Sequence, residues 1–208
     1  GHALMGRLLP GTDPLHKVTI IPRGRALGIT ASLPKEDRYL RSKQEYLNDI
    51  TILMSGRITE EIFFKDVTTG AKHDLEIATE IAHNMVTEYG MNKTLGTRTF
   101  GRHDREIFLG RDFYKEKDYS EATAKVIDKE VMDIINSCYK RSKILISKNK
   151  DKLEKLAHAL LEKESLDGDE VDEIIGMGNK QEQAKETKPN VIQDKEKPFH
   201  TKHQHPHP

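Results

Sequence analysis

Two side chains with coordinating chemistry stand out by where they fall. His2 lies in His2-Ala3-Leu4-Met5-Gly6-Arg7-Leu8-Leu9, a stretch whose apolar spacing reads as amphipathic helix. An imidazole titrates near neutrality and binds transition metals through either ring nitrogen. A lone helical histidine serves equally as a surface or packing residue. Asp74 lies in Thr68-Thr69-Gly70-Ala71-Lys72-His73-Asp74-Leu75, where Thr69 or Gly70 can begin a helix. An acid in a first or second helical turn complements the helix dipole. Ala71 and Ala78 share its face at −3 and +4, and such small neighbours leave room beside the carboxylate for another backbone or an ion. On the residues alone, both readings of each side chain stand.

The other reactive groups point to ordinary roles. His73 adjoins Asp74, but adjacent helical residues diverge by about 100°, which argues against a shared metal. His16, His83, His103 and His158 have no partner at metal spacing. Arg57 can pair with Glu60 or Glu61 on a helix surface. Cys138 is the single cysteine, so no intramolecular disulfide forms, and its place on an apolar helix face reads as core packing. Four histidines close the chain, at 200, 203, 205 and 207, and could chelate a divalent ion loosely; a polar, unstructured end is the plainer reading.

These groups need elements to hold them. Val18, Ile20 and Ile21 precede the turn signal Pro22-Arg23-Gly24, and Leu27 and Ile29 can form a second short strand. A small hairpin or edge strand is expected. Tyr46, Ile50, Leu53, Met54, Ile58 and Ile62 step by three or four, a helical face. Leu75, Ala78, Ala82, Met85 and Tyr89 repeat it, with Gly90 as the stop. Ser120 can cap a long helix carrying Ile127, Val131, Ile134, Cys138 and Leu145. Leu153, Leu156 and Leu160 mark another helix, and Asp167 opens a short last one. The fold class expected is mainly α with a small β piece.

Composition sets the boundaries. Of 208 residues, 35% are hydrophobic and 33% charged, so a long polar segment or long solvated helices must be present. That segment is placed at residues 177–208, rich in Lys, Glu, Gln, Pro and His, which cannot bury enough surface to offset ordering entropy. Residues 1–176 form the folded domain. Basic and acidic residues balance at 34 each, which argues against a nucleic-acid partner. No apolar run approaches the roughly 18 residues of a membrane span. Gly1 opens directly into helical pattern with neither N-cap nor first turn, as if cut from something longer.

A series of landmarks then carries a resemblance. Gly1-His2-Ala3-Leu4 is similar to the end of the HEAGHAL stretch of the FtsH family of ATP-dependent zinc proteases. Ile20-Ile21-Pro22-Arg23-Gly24 with Ala26-Leu27-Gly28 resembles its IPRG-x-ALG element, and Ser55-Gly56-Arg57-Ile58-Thr59-Glu60-Glu61 its GGRxAEE helix. Thr68 to Leu75 matches TTGAxxDL. Tyr89-Gly90-Met91, Phe108-Leu109-Gly110-Arg111-Asp112, Tyr119-Ser120 and Ile127-Asp128-Lys129-Glu130-Val131 follow in order.

The resemblance implies a helical zinc-metallopeptidase domain. In HExxH two histidines four apart share one zinc ion and the intervening glutamate is the general base. His2 corresponds to the second histidine and Asp74 to the family's third ligand. The first histidine and the glutamate would precede Gly1, so residues 1–208 as they stand are expected to be inactive while the parent protein is a peptidase. An extended substrate is expected to add to a strand edge at Val18, Thr19, Ile20 and Ile21, whose alternative role is to cover the helices. The resemblance further implies unfolded polypeptide substrates, a homo-hexamer in which helix 120–148 serves both core and subunit contacts, and ATP and Mg in an upstream module. It implies an inner-membrane anchor, with the peptidase facing the cytoplasm. The alternative is a catalytically dead homologue acting as an assembly or chaperone-like module.

Overall fold

The computed structural model describes residues 1–22, 28–33, 40–101 and 118–177. The expected tail beyond Met177, the turn at Arg23-Gly24, Leu27 of the second strand, His103 and the landmark at 108–112 lie outside those residues. In chain order the elements are α1 (His2–Leu8), β1 (Leu15–Thr19), β2 (Ile29–Ser32), α2 (Lys43–Phe63), a single 3-10 turn (Thr69–Ala71), α3 (Lys72–Thr87), α4 (Glu121–Lys148), α5 (Lys150–Lys163), β3 (Ser165–Asp167) and α6 (Gly168–Ile175). The chain is mainly α with one small sheet.

Helix α2 is the centrepiece, packing against α1, α3 and α4. A capping box starts it: the Ser42 hydroxyl accepts from the Glu45 amide at 3.3 Å, and the Glu45 carboxylate accepts from the Ser42 amide at 2.7 Å. Its apolar spacing then buries Ile50, Met54 and Ile58 on one face, each such side chain contributing about 1.5–3 kcal/mol. Helix α3 packs Ala78, Ala82, Met85 and Val86 inward. It ends at Thr87, three residues before the expected stop at Gly90. Gly90, at φ +59°, lets the chain turn back so that the Met91 amide reaches the Met85 carbonyl at 3.0 Å. Ser120 caps α4 as expected, its hydroxyl accepting from the Thr123 amide at 3.2 Å.

The sheet differs from expectation. β1 begins at Leu15 and ends at Thr19, so Ile20 and Ile21 lie beyond it. It is also the central strand of order β2-β1-β3, antiparallel to both neighbours. Val18 stands opposite Thr30 on one side and Leu166 on the other, and Thr19 opposite Ile29 and Ser165. The Ile20 amide is taken by the Glu164 carbonyl at 3.0 Å. The strand expected at an edge is therefore paired on both sides, and among the described residues the outer edge on that flank belongs to β2. The reason is β3, three residues too short to show periodicity, which arrives from the far end of the sequence.

β3 runs straight into α6, whose N-terminus has its own capping box between Asp167 and Glu170. From α6, Asp172 receives a two-pronged ion pair from Arg7 of α1, with Nε donating to Oδ1 at 2.6 Å and Nη2 to Oδ2. Both side chains are largely buried. The first helix of the domain is thus tied to the last.

Candidate metal centre

His2 is the first residue of α1, where that helix presses on α2 around Ser55, Gly56 and Thr59. Asp74 sits in the first turn of α3. The 3-10 turn before it is built by Thr68, whose hydroxyl accepts from the Gly70 amide at 3.1 Å. Glu60 of α2 grips Thr68 in turn, one carboxylate oxygen accepting from its amide and the other from its hydroxyl, each at 2.9 Å. Helix α2 thereby supports both sides of the centre. His2 Nε2 and Asp74 Oδ2 come to 3.3 Å.

The electrostatics favour a neutral ring. Burial pushes the His2 imidazole below its ordinary pKa, while the Asp74 carboxylate and a hydrogen bond to the Leu53 carbonyl pull upward. Nε2 is buried and makes no hydrogen bond within the protein. The Leu53 carbonyl approaches the ring, and Nε2 faces a carboxylate oxygen of Asp74 across 3.3 Å. An imidazole nitrogen and a carboxylate oxygen this close are a donor set that suits a transition-metal cation. Metal-bound histidines characteristically donate the other ring N–H to a backbone carbonyl, the part Leu53 plays. Ligand atoms about 2.0–2.2 Å from a tetrahedral zinc stand about 3.3–3.5 Å apart, so the pair fits that ion. Among the described residues no group of three or more His, Cys, Asp or Glu lies at metal spacing, so any further ligand comes from elsewhere.

The pair opens into a cleft of about 790 Å³ shared with Val18 and Thr19 of β1, with Ile20 just beyond that strand, and with Ile29 and Thr30 of β2. Of the four residues expected to touch substrate, three line this cleft. Ile21 does not; it is exposed, its amide turned back onto the Thr19 hydroxyl at 3.1 Å. His73 borders the cleft, but its ring is 82% exposed and lies 3.8 Å from Glu76, away from the pair. Arg57 pairs with Glu61 at 3.4 Å, and the Tyr139 hydroxyl of α4 also donates to Glu61.

Three contributors carried no role at this centre in the sequence reading. Leu53 acts through its carbonyl, which no side-chain pattern reports. Glu60 was expected on Arg57 and instead holds the turn that carries Asp74. Gly56 meets the His2 ring directly, and an interior helix glycine was the available signal for it.

The model of peptidase family M41 matches residues 1–174. "ATP-dependent zinc metalloprotease FtsH 1" of Thermoanaerobacter sp. (strain X514) is 50% identical over 175 residues, which is 84% of this chain and 29% of that protein. "ATP-dependent zinc metalloprotease FtsH" of Myxococcus xanthus (strain DK1622) is 50% identical over 178 residues, 86% of this chain and 28% of that protein. The protein of the same name from Magnetococcus marinus is 45% identical over 206 residues, 94% of this chain and 31% of that protein. The chain thus spans less than a third of these relatives.

Proposed function

The chain belongs to peptidase family M41, and we propose that it is the proteolytic domain of an ATP-dependent zinc metalloprotease acting on unfolded or damaged polypeptides. The observation that carries this reading is the approach of a hydrogen-bond-orphaned imidazole nitrogen to a carboxylate oxygen at 3.3 Å, at the head of an open cleft.

His2 and Asp74 are the two ligands this chain supplies. A zinc ion held by them would supply Lewis acidity, lowering the pKa of a bound water and polarising the scissile carbonyl. His2 contributes a neutral nitrogen whose orientation the Leu53 carbonyl fixes. Asp74 contributes a carboxylate whose place is set by Glu60 through Thr68. By the HExxH pattern of the family, the third ligand would be a histidine and the general base the glutamate directly after it. Peptide hydrolysis requires that third ligand and that base alongside His2 and Asp74.

Substrate lies as an extended strand in the cleft. Main-chain pairing takes place along β2, the strand with its outer edge open among the described residues, while Val18, Thr19 and Ile20 form the wall beside it. Backbone pairing is indifferent to side-chain sequence, as a degrader of unfolded chains requires. ATP and Mg act in a module outside this chain. Assembly is a homo-hexamer, for which α4 presents the exposed Met132 and Ile144. No helix among the described residues is long and apolar enough to cross a membrane; the anchor belongs to segments outside this chain, with the domain facing the cytoplasm.

The test is zinc stoichiometry. Extended by the residues encoded before Gly1 and assayed by atomic absorption, the chain should hold about one zinc per subunit, and His2→Ala or Asp74→Asn should each weaken binding by well over tenfold. An extended chain without zinc, or an Asp74→Asn variant that binds like the parent, overturns the reading and leaves a non-catalytic assembly module.

A further inference from the structure

Gly56 stands mid-way along α2, where glycine is a poor choice. Its backbone is not among the positive-φ glycines, so the helix itself does not require it. An alanine there would ordinarily strengthen the helix. What the position does meet is the His2 ring. A Cβ on Gly56 would lie 2.6 Å from Cε1, 3.2 Å from Nε2 and 3.3 Å from Nδ1. Three of the five ring atoms crowd the same spot, so a methyl group there displaces the imidazole as a body. The ring has little freedom to yield. On one side it is hydrogen-bonded to the carbonyl of Leu53, one helical turn before Gly56; on the other, Nε2 faces Asp74 at 3.3 Å.

We propose that Gly56 is a positioning residue for the metal-binding imidazole: α2 forms a seat in which the Leu53 carbonyl sets the ring's rotation and the missing side chain of Gly56 admits the ring close enough to bring Nε2 to Asp74. The proposal rests on the assignment of His2 as a ligand. It explains why a helix interior keeps a residue that weakens it.

Two measurements test it. The first uses the 208-residue chain in EDTA and compares thermal midpoints of the parent, Gly56→Ala, His2→Ala and the double variant. With alanine at position 2 there is no ring to strike, so Gly56→Ala should raise the midpoint by about 2–4 °C, the usual effect of replacing an interior helix glycine in a domain of this size. With His2 present the same change should lower it. A Gly56→Ala variant that fails to fold, beside a double variant that folds, also supports the proposal. An equal rise in both backgrounds overturns it. The second measurement follows zinc affinity of the N-terminally extended chain by competition with a chromophoric chelator. Gly56→Ala should weaken binding at least tenfold; unchanged affinity overturns the positioning role. If the unsubstituted extended chain binds no zinc, the ligand assignment falls and the positioning role falls with it, while the His2-dependent midpoint shift stands as a packing effect.

Discussion

His2 and Asp74 show how little a single position announces. Each had a plain alternative, as a packing histidine or a dipole-complementing acid, because nothing in residue spacing reports that two groups far apart in sequence converge. The order of landmarks along the chain brought them together, and the 3.3 Å approach gives the pair its chemistry. Glu60 is the opposite case. Helical spacing offered it Arg57, but its carboxylate faces the loop after α2 and engages Thr68 instead. Glu60→Ala should cost about 1 kcal/mol in urea denaturation, and it should also weaken zinc binding in the extended chain because Asp74 loses its footing. An effect on stability with no effect on zinc would detach Glu60 from the centre. Cys138 needs no such context. It is 3% exposed, its thiol directed to the Leu47 carbonyl at 3.5 Å, and burial pushes its pKa up. Iodoacetamide should label it at least tenfold more slowly than a free thiol until the chain is unfolded, as mass spectrometry can follow.

Helices were the legible elements, since each long one repeats apolar residues every three or four positions and several carry a recognisable cap. Boundaries moved by a residue or two where capping geometry prevailed over periodicity, as after Thr87. The sheet was the least legible. The cluster at Val18–Ile21 marked a strand but placed it too late, and nothing in three residues near 165 advertises a partner for it. The same is true of the Arg7–Asp172 pair. Arg7 reads as an ordinary basic residue in the last turn of a helix, and Asp172 as one acid among several. Their mutual burial makes either one costly to lose. Asp172→Asn or Arg7→Met should destabilise by about 3–5 kcal/mol, and replacing both with leucine should cost less than either single change. Chemical denaturation of the three variants decides this, and additive losses would count against a coupled pair. At the other end of the fold, Ser120→Ala should remove about 1 kcal/mol by leaving the first turn of α4 uncapped.

Taken whole, the domain closes on itself: α1 opens it, and β3 and α6 return to flank β1 and grip α1. Chain ended before Ser165 should lose the cooperative unfolding transition, and the amides of Val18 and Thr19 should lose their protection against hydrogen exchange. Retention of both would show that the sheet stands without its third strand. The arrangement also has a bearing on biosynthesis. The two residues of the clamp are separated by 165 positions. At about 5–20 residues per second, a ribosome that has released Arg7 needs roughly 8–33 s to release its counterpart. Throughout that interval Arg7, in the last turn of α1, lacks its carboxylate partner. The first helix and the sheet therefore complete their packing only as the last residues of the domain are made.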